Sequence, residues 1–232
     1  KAIGILGGSF DPDKILTGGS VTSEVLSDID SLKSIKIKSV GTHRQDHTKI
    51  KLSKKIKNSA TNSCLVIPDG TVIECLTIID FVIKTATLYP TMCFIIRMHP
   101  VLTFDSVVAN NKKLKNLPEN IILSTNTLDY DFSICRWAIY RGSGAAIRSV
   151  VAGLRPFYIA LPNELNIDPL FKLSVWKRVI TEPEEFINQV SKDQDQSFDI
   201  SNANIEFEYA RTFCQSYFKP INLKTFCNEI NN

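Results

Sequence analysis

The sequence predicts an α/β fold, a mostly parallel sheet with helices on both faces. Three observations carry this. Short continuous apolar runs such as CLVI, CFII and WAIY recur along the chain, and strands buried on both faces of a parallel sheet read that way. Stretches of helical periodicity and turn residues separate them. Finally, the Gly-Ser-Gly of Gly142–Gly144 follows one apolar run and is itself followed by small residues, the pattern of a strand, a tight turn and a helix.

The elements follow in order. Lys1–Ser9 reads as a short buried strand running into glycines, and TSEVLSDIDSL as a helix starting at Thr22 or Ser23 with Val25, Leu26, Ile29 and Leu32 on one face. IKIKSVG, residues 35–41, alternates as a half-exposed strand does. Residues 42–62 change character, with five lysines between Lys49 and Lys57 and little to form a core. They read as a basic linker, solvated or in contact with an anionic membrane or polyphosphate. From residue 63 the rhythm becomes regular. CLVIPDG is a strand and turn, TVIECLTIIDFVIKTATLY a helix with Ile73, Leu76, Ile79, Phe81 and Ile83 on its apolar face, and CFIIRMHP the next strand before a polar stretch. NIILST and WAIYRG are strands, 144–152 a helix, RPFYIAL and VWKRVIT strands, and 183–190 a helix. Residues 192–201 read as loop, and Phe207, Phe213 and Tyr217 fall at helical spacing in the tail, where an aromatic stripe serves packing. The expected organisation is a strand–helix unit at 1–41, a linker at 42–62, a Rossmann-like domain at 63–191 and a helical tail at 192–232.

Composition narrows the function classes. With 232 residues and 44% hydrophobic content the chain can fill one large core or two small ones. Its 27 basic and 24 acidic residues are interspersed, which argues against a nucleic-acid binder and leaves a small phosphorylated ligand open. Six dispersed cysteines form no CxxC pair, and His43 and His47 lie in a polar stretch, so zinc-ligand spacing is lacking. The cysteines read as reduced core thiols, implying a cytoplasmic location. No apolar run reaches the roughly 18–20 residues of a membrane helix, and no signal-peptide pattern opens the chain. The start at Lys1 in place of Met suggests a trimmed or expressed fragment.

Ligands of parallel sheets bind beyond the carboxyl ends of strands, which selects 68–71, 97–100 and 141–145. At the last of these, Gly142, Gly144 and Ala145 permit close backbone approach, Ser143 is placed to cap the helix, and free amides of its first turn suit phosphate. An ordinary tight turn uses the same residues. Arg97 suits a two-pronged grip on phosphate and His99 can donate to a phosphate oxygen, with Pro100 stopping the strand. Gly70 and Thr71 open a second helix, and Glu74 three residues after Thr71 makes a reciprocal capping box.

RMHP, LPENIILST and AIYRGSGAAIRSVVAGLRPFYIALP, in that order, resemble the donor half of GT-B glycosyltransferases of bacterial surface polysaccharides. The likeness is to the His-Pro group that includes bacterial sialyltransferases, capsule enzymes and teichoic-acid polymerases, and spans about residues 63–190. It implies that His99 and Ser143 hold the phosphate of a nucleotide-activated sugar, with Gly142, Gly144 and Ala145 lining the pocket. It also implies a metal-independent transfer, no cofactor, a glycan or lipid-linked acceptor and a further N-terminal domain carrying the base; the expected location is the cytoplasm, with peripheral contact to the inner membrane left open by the basic linker. Two positions depart from the pattern. Gly144 stands where a second Ser or Thr is usual, and the ribose-binding acidic pair has no clear match, with Glu164 and Asp168 as candidates and Glu74 as a further candidate for sugar or ribose contact. Two other readings remain: a non-catalytic nucleotide-sugar-binding or assembly module, and an adenylyltransferase of the nicotinate-nucleotide type. GILGGSFDP resembles the opening of the latter family but lacks the histidine pair that follows there.

Overall fold

The computed structural model describes residues 12–43, 62–195 and 200–231. The chain divides into two compact units, Lys1–Lys51 with Thr212–Asn232, and Leu52–Arg211. The first strand expected, the GGSFDP segment through Asp11 and most of the basic linker fall outside the described residues.

In the smaller unit, β1 (Lys14–Thr17) lies parallel to β2 (Lys36–Ser39), with Lys14 opposite Lys36. Between them α1 (Ser20–Ser27) starts two residues earlier than the periodicity suggests and ends before Ile29, which is exposed. The strand β1, KILT, is too short to show alternation and was not anticipated. The chain's end completes this unit. Lys219 N donates to Gly18 O at 2.8 Å, Thr42 N to Lys219 O at 2.8 Å and Asn222 N to Val40 O at 3.0 Å. Two glycines are required here: a Cβ on Gly19 would stand 2.3 Å from the Ser216 and Tyr217 carbonyls, and Gly41 has φ +90° against Pro220.

The larger unit is built on β3 (Ser63–Ile67), β4 (Cys93–Ile96), β5 (Ile121–Leu123), β6 (Trp137–Tyr140), β7 (Arg155–Ile159) and β8 (Arg178–Ile180). These form one sheet in the order β5-β4-β3-β6-β7-β8, every pair parallel. Its helices are α2 (Val72–Leu88), α3 (Phe104–Asn110), α4 (Leu128–Ile134), α5 (Ala145–Val151), α6 (Pro183–Gln194) and α7 (Ile200–Gln215), whose last residues, with α8 (Leu223–Asn231), belong to the smaller unit. All five residues of β3 and of β7 and all four of β6 are buried. Strand alternation sorts them: Cys64, Val66, Phe94, Ile96, Trp137, Ile139, Phe157 and Ile159 share one core with Ile78, Ile79 and Val82 of α2 and Phe186 and Val190 of α6.

Two expectations about α2 and its surroundings are corrected. Ile73 is 77% exposed, because the helix buries the face of Cys75, Ile78, Ile79 and Val82. The polar stretches after β4 and β5 contain α3 and α4, each of seven residues and each begun by a threonine that accepts a backbone amide, Thr103 from Ser106 and Thr127 from Tyr130 at 3.3 Å.

At the amino ends of β6 and β7 lies a buried ionic cluster. Arg155 pairs with Asp193 of α6, faces Glu206 at 3.8 Å and stacks 4.1 Å from the Trp176 ring, while Trp137 Nε1 donates to Asp193 at 3.2 Å. Trp176 itself takes φ +67° and donates Nε1 to Leu154 O at 3.0 Å. The cluster ties α6 and α7 to the sheet at the end away from the candidate site.

Candidate functional site

From β3 the chain winds outward through β4 and β5, then returns to β6 on the other side of β3 and continues to β7 and β8. The connections leaving the carboxyl ends of β3 and β6 therefore diverge, and a crevice opens between them, the place where open α/β sheets bind ligands. Three loops meet there: 68–71 after β3, 97–100 after β4 and 141–144 after β6. Their closeness is measurable. A Cβ on Gly70 would lie 3.1 Å from His99 Nδ1 and 3.0 Å from Val101, and one on Gly142 would lie 3.3 Å from Asp69 Oδ2 and 3.4 Å from Ile167. A Cβ on Gly144 would meet nothing within 4 Å. Gly144 has φ −63°, so neither strain nor crowding calls for glycine, and its missing side chain leaves the crevice open.

His99 sits beside Gly70, and its Nδ1 accepts the Val101 amide at 3.4 Å. In the neutral ring this leaves the proton on Nε2, a hydrogen-bond donor. Ser143 is buried. It does not cap α5: the N-cap position is Gly144, no side-chain cap bond is made, and the Ser143 contribution is its carbonyl, which accepts Ala146 N at 3.1 Å. Thr71 occupies the N-cap position of α2 as expected, but the capping box does not form. Asp69 Oδ1 instead accepts the Thr71 amide at 2.8 Å and hydroxyl at 3.0 Å, a local turn that competes for the same groups. Glu74 is drawn away to Arg141.

Arg97 is also placed differently from the expected phosphate grip. Its Nη1 donates to Asn126 O at 2.5 Å and to buried Asp131 Oδ2 at 2.9 Å, and Ser124 Oγ donates to the same carboxylate at 2.7 Å. A buried carboxylate needs a cation; Arg97 meets that need and fixes the β5–α4 loop.

Arg141, at the end of β6, lies in the 141–145 stretch expected at the ligand edge but was given no role of its own, although an arginine directly before Gly-Ser-Gly at a strand end is a visible signal. Its guanidinium is 3% exposed. Nε pairs with Glu74, Nη2 reaches Glu74 at 3.4 Å and Glu164 at 2.6 Å, and Nη1 donates to Ile159 O at 3.1 Å. Burial alone would lower its pKa, but the bonds to Glu74 and Glu164 outweigh it and the net shift is upward. Asp168 is buried and engaged on both oxygens, accepting Tyr140 OH and the Leu170 amide at 2.8 Å and pairing with Lys177 Nζ at 2.6 Å. Arg141, Tyr158, Glu164, Asp168 and Lys177 line a cleft of about 240 Å³. Burial, more than the bond and charges around it, pushes the Tyr158 phenol up, so it presents a neutral hydroxyl.

The expected residues thus divide. Gly70, Thr71, His99, Gly142, Ser143 and Gly144 stand on the three converging loops, and Ala145 opens α5 directly after the last of them. Arg97, Glu74, Glu164 and Asp168 are held in ion pairs, and so is every arginine or lysine described above at this edge.

No family model and no curated protein matches the chain. Solved structures do. TarM superposes with a TM-score of 0.51 at 14% identity, over 89% of this chain and 41% of TarM. The glycotransferase of kitacinnamycin gives 0.53 at 12% identity, over 89% of this chain and 51% of its own. The UDP-GlcNAc 2-epimerase of Methanocaldococcus jannaschii, solved with UDP-GlcNAc and UDP, gives 0.50 at 11% identity, over 87% and 60%. The chain spans about half the length of the structures it matches. The six-stranded parallel sheet flanked by helices is accordingly that of a GT-B Rossmann-like half.

Proposed function

We propose that the larger unit binds a nucleotide-activated sugar and acts as the donor half of a glycosyltransferase. The observation that carries the reading is the crevice between β3 and β6, where His99 and Ser143 converge with glycines whose backbone a ligand can approach. The fold is shared by a glycotransferase and by an epimerase solved with UDP-GlcNAc and UDP, and the latter supports a nucleotide sugar as the ligand class.

In this reading the diphosphate lies over 142–145. The His99 Nε2 proton, the Ser143 hydroxyl and backbone amides stabilise charge growing on the leaving phosphate while an acceptor hydroxyl attacks the anomeric carbon. No metal or cofactor takes part, and Arg97 acts by positioning the neighbouring loop. Among the described residues at this edge, Asp69, Glu74, Glu164 and Asp168 are all bonded to other groups. In this proposal the base that activates the acceptor comes from a further domain, and the acceptor is a glycan or lipid-linked molecule beside the inner membrane. The same observation favours the second reading, a nucleotide-sugar-binding module without turnover of its own.

The test is a thermal-shift and calorimetric screen with CMP, CDP, UDP, GDP and ATP. A ligand at about 100 times its Kd stabilises by roughly 2.7 kcal/mol. Preference for one pyrimidine or guanine nucleotide, weakened by His99→Ala, supports the reading. Binding of ATP alone, or of none of the five, overturns it. Turnover of the matching nucleotide sugar separates the enzyme from the module.

A further inference from the structure

The Arg141 cluster contains one cation and two carboxylates. Glu74 takes Nε and shares Nη2, with its side chain 22% exposed, and is sufficient to neutralise the guanidinium. Glu164 adds a second negative charge to Nη2 from a side chain that is 49% exposed. It belongs to residues 162–167, all exposed, in the loop between Leu161 and Asp168. Local opening draws on such segments, which have few buried contacts to lose.

Two further facts bear on what that second carboxylate does. The cleft of about 240 Å³ begins at Arg141 and Glu164 and continues to Tyr158 and Lys177. That is about eight times the volume of a water in the liquid, room for a phosphate-sized group. The same loop overlies the crevice, since a Cβ on Gly142, the residue after Arg141, would touch Ile167 at 3.4 Å. The cleft and the crevice adjoin through Arg141 and Gly142.

We propose that Glu164 is a built-in stand-in for a ligand anion: a phosphate group entering the cleft displaces the Glu164 carboxylate from Arg141 Nη2, and residues 162–167 swing outward between Leu161 and the anchored Asp168. This rests on the reading that the ligand carries phosphate. The exchange is balanced in charge, because one anion leaves the guanidinium as another arrives. It frees Arg141 Nη2 to donate to the phosphate while Glu74 keeps Nε, whereas Arg97 and Lys177 stay paired with buried carboxylates.

The sign of one substitution decides the matter. If Glu164 competes with the ligand, Glu164→Gln tightens phosphate binding; if Glu164 instead contacts a ligand hydroxyl, the change weakens it. Inorganic pyrophosphate and the nucleotide diphosphates are titrated into the wild type, Glu164→Gln and Glu164→Ala. Glu208→Gln, which removes an equal charge beside Arg211 on α7, is the control for net charge. Both Glu164 variants are expected to bind pyrophosphate about three- to tenfold more tightly than wild type, the range for a charged bond between half-exposed and buried. Glu208→Gln is expected to change it by less than about 1.5-fold. Equal or weaker binding by Glu164→Gln, or no pyrophosphate binding by any form, overturns the displacement. Nucleotide binding that His99→Ala weakens but Glu164→Gln does not tighten overturns the displacement and leaves the donor-site reading standing. Tightened pyrophosphate binding without preference for a nucleotide supports the displacement and overturns the donor-site reading.

Discussion

Replacing Asp193 with Asn removes a charge while leaving the volume almost unchanged. Asp193 is 6% exposed and Arg155 3%. Arg155 uses Oδ1 and Trp137 Nε1 uses Oδ2 of the carboxylate, whereas the Asn amide has one oxygen and turns an NH2 donor toward the other group. Even with Asp193 in place, burial pushes the Arg155 guanidinium down to about 10, so the ionised form is already disfavoured in the fold. Breaking a buried pair on one side costs about 3–5 kcal/mol. Glu206 at 3.8 Å and the Trp176 ring at 4.1 Å retain part of the stabilisation of the cation, which puts the expected loss near the lower end, about 3 kcal/mol. For a chain of this size that lowers Tm by roughly 6–12 °C. Thermal unfolding followed by far-ultraviolet circular dichroism measures it. The double variant Arg155→Met, Asp193→Asn keeps an acceptor for Trp137 and removes the stranded cation, so it recovers to within about 1–2 kcal/mol of wild type. A loss under about 1 kcal/mol for Asp193→Asn, or a double variant less stable than the single, refutes the reasoning.

Other outcomes follow from the same geometry. Gly144→Ala places its methyl in open crevice space, so stability changes by less than about 0.5 kcal/mol as helix entropy and cap preference oppose each other, while nucleotide affinity falls about tenfold or more; calorimetry on the variant and the wild type compares both. Gly19→Ala drives a Cβ to 2.3 Å from backbone carbonyls that cannot rotate away, and limited proteolysis should release the 212–232 segment that is intact in wild type. In thiol labelling of the folded protein near pH 8, exposed Cys227 reacts first and Cys64, Cys75 and Cys214 react only on unfolding. Burial, assisted by the Asp69 charge, pushes the Cys75 thiol up to about 11, so its reactive thiolate is scarce at that pH. For Arg155 the folded pKa lies below the unfolded one, so the folded state releases that proton first. Its contribution to stability therefore rises as the pH climbs above about 10, measurable as a smaller gap between wild type and Asp193→Asn in alkaline denaturation.

The central strands, the helix α2 and the three edge loops were legible from local pattern alone. A strand buried on both faces must be apolar throughout, as CLVI and WAIY are, and the residues after it must lie at the carboxyl edge whatever the strand order. The short helices α3 and α4 were not, because two turns are too few for periodicity to emerge from FDSVVAN or LDYDFSI; their threonine caps were the available signal. Ile73 was misread because an apolar residue in a first turn fits the helical pattern without saying what faces it.

What the sequence by itself determined is the list of chemical groups at the carboxyl edge of the sheet, the candidate site: His99, Ser143, the glycines and an excess of carboxylates. Which of them are available was decided by tertiary structure. Glu74 and Glu164 lie 67 and 23 positions from Arg141, and Asp131 lies 34 from Arg97. The strand order β5-β4-β3-β6-β7-β8 brings these charges together. A buried charge must find an opposite one, and the sequence states the need while only the fold selects the partner.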